Sequence, residues 1–247
     1  MAPRQERNQK MTASSVNRVY ETVKDMSVGF EMRPGERINE VLLSERLGAS
    51  RTPLREALNR LVAENLLSFE RGRGFFCRDL NPQEILDLYE LRRVIEEAAV
   101  RRIAETGPAE RLAGLMQFLK ETGPDEGNRN VRELVRLDEH FHEALVDCAG
   151  NAEMTRTLRG LNERIRFVRW IDMENRRRET QGEHLALLQA LLDGDRDIAL
   201  QRLGGHIGKR QDQIMEVVRE SLARIYLQPG SLNQKSGSGD LATRESR

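Results

Sequence analysis

The chain has 247 residues, of which 38% are hydrophobic and 32% charged, and its 40 Lys and Arg residues balance 40 Asp and Glu residues. This is the composition of a globular protein with room for two modest domains. No apolar run approaches the length of about 18 residues that a membrane helix needs, and charge is scattered through the N-terminal segment. We therefore expect a cytoplasmic protein without a membrane partner. Cys77 and Cys148 lie far apart in the sequence, which excludes a disulfide scaffold and a CxxC redox pair.

The zero net charge conceals a mild gradient along the chain. Residues 1–79 carry 14 Lys and Arg against 11 Asp and Glu, so the remaining residues carry an acidic surplus. This pattern fits a basic head joined to an acidic body. Charge differences of this size between two parts of a chain are common among neutral enzymes. The function of the head therefore has to be inferred from its motifs.

Proline placement and apolar spacing divide the chain. Residues 125–228 contain no proline, which permits long helices. From Pro82 onward apolar residues recur three and four positions apart, without sustained period-two alternation, and this predicts an all-helical bundle. The predicted segments are a disordered tail at 1–12, a head at 13–79, an all-helical body at 80–227 and a disordered tail at 228–247.

The head contains three short helical patterns followed by a hairpin. The third helix is predicted from 51 to about 65, with Ser50 as its cap. Two short strands at 66–70 and 75–78 flank a glycine-rich basic tip at 71–74. This order of elements predicts a winged helix-turn-helix, in which the second helix of the motif enters the DNA major groove by its N-terminal residues.

Polar side chains at the start of the third helix and at the hairpin tip are the candidate DNA contacts. Arginine suits guanine edges and phosphates, and threonine suits either a base or a phosphate. The candidates are Arg51, Thr52, Arg55 and Asn59 on the helix, and Arg71 and Arg73 on the tip. Basic residues on an arbitrary helix more often only solvate its surface. Here the charges gather at one helix end, directly before a basic hairpin, so we predict DNA binding.

Several stretches of the head resemble the DNA-binding domain of the GntR family of bacterial transcription regulators. They are LGASRTPLREALNRL at 47–61, ENLL at 64–67 and RGRG at 71–74. Upstream, Pro34-Gly35 and Ile38-Asn39-Glu40 match the turn that precedes the second helix in that family.

The resemblance implies that Arg51, Thr52 and Arg55 contact the operator and that Gly72 is the wing position. Family members often carry another basic residue early in the second helix. This chain has Val41 there, so one expected contact is missing from that helix.

A second group of polar residues lies in the body. Asp138 and His142 fall at i and i+4 on the apolar stripe of a helix predicted at 131–149. His184 heads another apolar stripe, and His206 lies in a helical segment rich in glycine. A buried carboxylate beside a buried imidazole is costly unless the two are paired or coordinated. One Asp and three His suit a divalent metal, zinc first, with nickel or manganese as alternatives.

Other readings of these residues remain open. A single core histidine is more often a hydrogen-bonded structural residue than a ligand, which applies most to His206. His140 lies two residues from His142 and should face away, so we predict that it is not a ligand. Glu139 and Glu183 flank candidate ligands and should face outward.

The body also resembles a known domain. The motifs DEHFH at 138–142, GN at 150–151, EHL at 183–185 and HI at 206–207 look like the FCD ligand-sensing domain of the FadR subfamily of GntR regulators. ELRRVIE at 90–96 matches the family pattern on the first long helix.

This resemblance implies that Asp138, His142, His184 and His206 are metal ligands. It also implies that Arg92 binds the carboxylate of a small effector, a task that suits a planar guanidinium. The alternative for Arg92 is a surface ion pair with Glu96 at i+4.

The sequence therefore predicts a transcriptional regulator, a repressor by the commoner behaviour of the family. A homodimer would bind a pseudo-palindromic double-stranded operator, and a small organic acid bound near the metal would change its affinity. Two rival functions are a metal-dependent hydrolase or lyase built on a helical bundle, and a metal that only rigidifies the bundle.

Overall fold

The computed structural model describes residues 4–125, 127–176 and 179–227. The N-terminal elements are α1 (Arg4–Val28), α2 (Glu40–Leu47), α3 (Arg51–Ala63), β1 (Leu67–Glu70) and β2 (Gly74–Cys77). The elements that follow are α4 (Pro82–Thr106), α5 (Ala109–Thr122), α6 (Val131–Cys148), α7 (Ala152–Arg176), α8 (Thr180–Leu192), α9 (Arg196–Asp212) and α10 (Ile214–Leu227). The described chain is thus a winged helix-turn-helix head joined to an all-helical body, which confirms the predicted fold class.

Helix α1 packs along α3 in the head because each helix carries an apolar stripe at helical spacing. The buried side chains of the two stripes are Val16, Val19, Val23 and Met26 on α1, and Leu54, Leu58 and Leu61 on α3. Asn39 caps α2 by accepting hydrogen bonds from the backbone N–H groups of Val41 and Leu42. Ser50 stands at the predicted cap of α3, but its side chain makes no capping hydrogen bond.

The hairpin forms the wing. Strands β1 and β2 pair antiparallel, with Leu67 opposite Cys77 and Glu70 opposite Gly74. Gly72 and Gly74 have φ angles of 80° and 98°, a backbone region that glycine enters without steric cost. The two predicted strands are present; β1 begins one residue later than expected, and β2 begins and ends one residue earlier.

A segment ahead of α2 extends the wing. The backbone N–H of Ile38 donates to the carbonyl of Phe75 at 2.8 Å, and the N–H of Cys77 donates to the carbonyl of Glu36 at 2.8 Å. Arg37 forms an isolated antiparallel bridge with Phe76. Residues 36–38 therefore lie against β2 as a short third strand segment.

The body is a bundle in which α6 packs against α7, and α9 packs against both α4 and α8. Asn81 caps α4 by accepting from the backbone N–H groups of Gln83 and Glu84, with Pro82 in the first turn. The largest hydrophobic side chains at its centre include Phe141, Leu145, Leu158, Ile165, Leu188 and Leu203. A polar cluster lies among them.

Two features bear on the ends of the chain. Helix α1 begins at Arg4, so the backbone of 4–12 is helical within the segment that the sequence predicted as a tail. The other predicted tail, 228–247, lies outside the described residues. None of the helices in the described ranges is long and apolar enough to cross a membrane. The predicted domain limits stay predictions.

Helix α7 joins the body to the head. Its Glu163 carboxylate lies 2.5 Å from the Lys24 ammonium on α1. Lys24 lies 3.9 Å from Glu64, just after α3. The ring of Phe167 on α7 meets the ring of Phe30 edge to face, with centroids 5.1 Å apart. Helix α7 of the body therefore contacts side chains that pack within the head.

Candidate functional site

The first candidate site is the exposed face of α3. Its apolar residues turn into the head, which leaves Arg51, Thr52, Arg55 and Asn59 exposed to solvent. Their exposure at the N-terminal half of the helix is what groove insertion requires. The Arg55 guanidinium lies 3.2 Å from the Glu40 carboxylate at the start of α2, which holds it beside the second helix of the head.

The wing supplies the other candidate DNA contacts. Arg71, Gly72 and Arg73 are all exposed at its tip. Arg73 forms an ion pair with Glu70, and its guanidinium lies 5.0 Å from the centre of the Phe76 ring. Val41 is 46% exposed near the start of α2, so α2 offers an apolar surface where a basic residue is common in the resembled family.

The second candidate site is a buried cluster of four side chains in the body. Asp138 and His142 come from α6, His184 from α8 and His206 from α9, and one ligand atom from each lies within 4.8 Å of the others. The His206 Nε2 atom is 3.1 Å from the His142 Nε2 and 3.4 Å from the His184 Nε2. The Asp138 Oδ1 atom is 3.3 Å from the His184 Nε2 and 3.8 Å from the His142 Nε2.

Two carboxylates behind the cluster orient its imidazole rings. The Nδ1 atom of His142 lies 2.5 Å from Glu96 on α4, and the Nδ1 atom of His206 lies 2.6 Å from Glu183 on α8. A proton on each Nδ1 donates to its carboxylate and leaves the Nε2 lone pair facing the cluster. The His184 ring is stacked on Phe141, with centroids 4.0 Å apart.

This arrangement fits a metal ion. Two Nε2 atoms that both carry lone pairs cannot hydrogen-bond to each other, so their convergence calls for a cation between them. Zinc–nitrogen bonds of about 2.0–2.1 Å in a tetrahedral site place neighbouring donor atoms about 3.3 Å apart. The four separations given above, 3.1–3.8 Å, lie around that value, and all the donor atoms lie within 4.8 Å of one another. The three imidazoles and the carboxylate can therefore hold a divalent metal.

Two expectations about neighbouring residues were wrong. Glu139 is buried and lies 3.0 Å from Arg166 on α7, and Glu183 bonds to His206. Both side chains therefore point inward, whereas the sequence predicted that they face outward. Burial raises the pKa of Glu139, although Arg166 opposes the rise. His140 is exposed and packs on Phe118 at 4.6 Å, outside the cluster.

Arg169 is a residue of this site that the sequence analysis missed. Its guanidinium forms an ion pair with the Oδ2 atom of Asp138, and the side chain is fully buried. It also lies 3.6 Å from Glu139. Asp138 thus turns one oxygen toward the histidines and the other toward α7, so the candidate ligand is held by the helix that reaches the head.

Arg92 and Glu96 form the pair that the sequence offered as an alternative, but the pair is not on the surface. The Arg92 Nε lies 2.6 Å from Glu96, and the two side chains are 1% and 0% exposed. Burial raises the pKa of Glu96, but Arg92 and His142 outweigh it and lower this pKa to about 2. Glu96 therefore links the guanidinium directly to a candidate metal ligand.

The remaining donors of Arg92 point to a ligand. Its Nη1 and Nη2 atoms are buried and have no hydrogen-bond partner among the described residues. A buried guanidinium with two unmet donors carries a desolvation cost. A carboxylate would satisfy both donors at once with fork-shaped geometry.

A small cavity adjoins the cluster. Asp138 and His184 line it together with apolar side chains such as Phe118 and Met173 and with polar ones such as Arg129. Its volume is about 30 Å³, which is room for only about one or two water molecules. An organic acid therefore needs side chains around the cavity to move before it can enter.

The gntR family of bacterial regulatory proteins matches residues 15–77, and the FCD domain matches residues 87–209. The chain is 43% identical over 201 residues to the Nta operon transcriptional regulator of Aminobacter aminovorans, covering 81% of this chain and 95% of that protein. The chain belongs to the gntR family and carries an FCD domain.

Other relatives agree with this assignment. The HTH-type transcriptional repressor GlaR of Escherichia coli K12 is 29% identical over 168 residues, covering 65% of this chain and 76% of that protein. The crystal structure of a GntR transcriptional regulator from Rhodococcus sp. RHA1 superposes with a TM-score of 0.63 at 26% identity, covering 82% of this chain and 98% of that one. The protein is a DNA-binding transcriptional regulator and not an enzyme, so the hydrolase alternative has no support.

Replacement of a candidate ligand tests the metal centre. His142→Ala should weaken zinc binding by more than about 100-fold, since loss of an outer partner of a ligand alone costs about 10–100-fold. Competition with a chromophoric chelator measures the affinity. The matched control is His140→Ala, which removes an exposed imidazole two residues away and should bind zinc like the unaltered protein. Equal affinities for both variants would contradict the assignment.

The carboxylate behind His142 gives a second test. Glu96→Gln should reduce zinc affinity by about 10–100-fold, because the amide no longer holds the His142 ring as an anion does. Glu97→Gln is the control, as Glu97 pairs with Arg93 away from the cluster. Zinc affinity unchanged in Glu96→Gln would show that Glu96 does not support the site.

Proposed function

We propose that this regulator is a homodimeric repressor whose operator affinity is set by a small carboxylic acid, bound beside a divalent metal in the helical body. The observation that carries the proposal is Arg92. Its two buried Nη donors lack partners in the described chain, and its Nε is tied through Glu96 to His142. This is an anion-recognising group attached to a candidate metal centre.

The DNA half of the proposal assigns roles to the exposed residues of the head. Arg51, Thr52, Arg55 and Asn59 read one major groove, while Arg71, Gly72 and Arg73 contact the adjacent backbone or minor groove. In a dimer the two α3 helices reach successive major grooves about 34–36 Å apart, which requires a pseudo-palindromic operator. Such a regulator works in the cytoplasm, where its DNA is.

A second copy of the chain is expected to pack on the body. Leu91 and Val94 lie three residues apart on the outer side of α4 and are 45% and 55% exposed. Neighbouring large apolar side chains on one helix face are a common feature of subunit contacts. A twofold axis there would use the same patch on both subunits.

The effector half rests on the cluster and its surroundings. Asp138, His142, His184 and His206 would hold the metal, zinc first, with nickel or manganese as alternatives. When bound, the metal would supply a Lewis acid; because the four protein donors complete a tetrahedral shell, an oxygen of the acid would have to add as a fifth ligand. Arg92 would bind the same carboxylate through its Nη atoms. The small cavity beside Asp138 and His184, which apolar and polar side chains line together, would admit only a compact acid.

Helix α7 offers a physical route from the acid to the DNA. Arg169 holds Asp138, and Glu163, six residues earlier, holds Lys24 on α1. These two contacts are about 9 Å apart along the helix axis. An acid that displaces Asp138 or Arg169 would move α7, and with it the head. Operator affinity changes only if the acid prefers one arrangement of the heads over another.

Arg51 tests the DNA-reading surface. Arg51→Ala should weaken operator binding by about 1–3 kcal/mol and relax the base preference at one position, if its guanidinium makes a bidentate base contact. Fluorescence anisotropy with wild-type and substituted operators measures both effects. Arg60→Ala is the control, because Arg60 faces α1, where it bonds to Asn17. An Arg51 variant that binds like the control would remove Arg51 from the interface.

Arg92 tests the effector site. A thermal-shift screen of small carboxylic and sugar acids first identifies an acid that binds, and operator titrations with this acid then measure its effect. Arg92→Lys keeps a positive charge beside Glu96 but lacks the fork, so acid affinity should fall at least about 10-fold while zinc content stays unchanged. Arg93→Lys should behave like wild type. If no acid that binds the body alters operator affinity, the coupling is wrong.

A further inference from the structure

A concave surface on the head lies between the start of α2, the start of α3 and the wing. Arg51 and Arg55 line it from α3, Glu40 and Val41 from α2, and Gly74 from β2. The remaining charged residue on it is Arg37, which precedes α2. This surface therefore connects the two parts of the head that are expected to meet DNA.

The backbone holds Arg37 rigidly on this surface. Arg37 bridges to Phe76, and the residues on either side of it exchange backbone hydrogen bonds with β2. The Arg37 side chain passes over Gly74, since a Cβ atom added to Gly74 would lie 3.9 Å from its Nε and Nη2 atoms. The guanidinium of Arg37 therefore lies in van der Waals range of the wing at Gly74.

The charges on this surface are unevenly compensated. Glu40 is paired with Arg55 at 3.2 Å, whereas Arg37 is exposed and forms no ion pair within the described part of the chain. Val41 adds no charge. Arg37, together with Arg51 on α3, therefore carries the uncompensated positive charge of this surface, and an exposed, unpaired guanidinium attracts phosphate.

We propose that Arg37 binds a DNA backbone phosphate at the wall of the groove that α3 enters. It belongs to the strand segment beside the wing and not to α3, so it would meet the sugar-phosphate backbone rather than the base edges. Its role is to fix the register of the wing and α3 on the duplex, and it supplies the cation that α2 lacks at Val41. This inference rests on the proposed placement of α3 in the major groove.

Salt dependence separates a phosphate contact from the alternatives. The probe is a duplex that the wild-type protein selects from a random-sequence pool, with a scrambled duplex for comparison. When one phosphate contact is lost, the plot of log affinity against log salt becomes shallower by about 0.9. This corresponds to about an eightfold loss of DNA affinity at 0.1 M salt. Arg37→Gln should show this loss on both duplexes, and Arg37→Lys should restore most of the slope.

The matched control is Arg46→Gln, which removes the same charge from the last turn of α2. Arg46 is paired with Glu31 at 3.1 Å and does not line the concave surface, so its slope should stay within error of wild type. Circular dichroism melts establish that each variant is folded. An unchanged salt-dependence slope for folded Arg37→Gln overturns the inference. A loss of affinity confined to substitutions at one base position also overturns it, because such a loss indicates a contact to a base and not to a phosphate. Failure of Arg51→Ala to alter binding, with the Arg37 effect intact, would instead refute the proposed reading surface.

Discussion

The structure of the body depends on one constraint, the meeting of three imidazole nitrogens and one carboxylate oxygen in a dry interior. Unpaired polar groups are costly there, and lone pairs cannot satisfy one another. The surrounding residues limit this cost. Glu96 and Glu183 hold two of the rings, and Arg169 holds the second oxygen of Asp138. A cation between the four donors would offset the remaining cost, and the same cation would create a binding position for an anion beside Arg92.

The same interactions tie the ligand-binding interior to the DNA-binding head. Helix α7 carries Arg169 near the candidate metal centre and Glu163 and Phe167 at the junction with α1. Packed interiors transmit small displacements because they are dense and resist compression. Under the proposed function, a shift of Asp138 would reach Lys24 through α7 and then Glu64 beside α3. In this view effector binding acts on the head through α7 and needs no disordered linker.

Much of the fold but only part of the site could be predicted from the sequence. There are physical reasons why the other site residues could not be found. Asp138 and His142 lie on a strongly amphipathic helix, so local periodicity alone placed them inside. The exposed face of α3 followed from its apolar stripe in the same way. Glu96 and Arg169 could not be found like this, because their roles come from contacts between helices that are distant in sequence. Arginine and glutamate are also rarely buried unless paired, which is why the Arg92–Glu96 pair was expected on the surface. Arg37 was missed because its place on the concave surface comes from a single bridge to Phe76 on β2, a contact between segments distant in sequence.

The most direct test of the central claim is X-ray absorption spectroscopy at the zinc edge of the purified protein reconstituted with zinc. Three imidazoles and one carboxylate should give a first shell of nitrogen and oxygen at about 2.0–2.1 Å, with the outer-shell scattering that histidine rings produce. A suitable carboxylic acid should add an oxygen to that shell. A shell containing sulfur, or one without imidazole scattering, would contradict the claim that Asp138, His142, His184 and His206 form the metal centre.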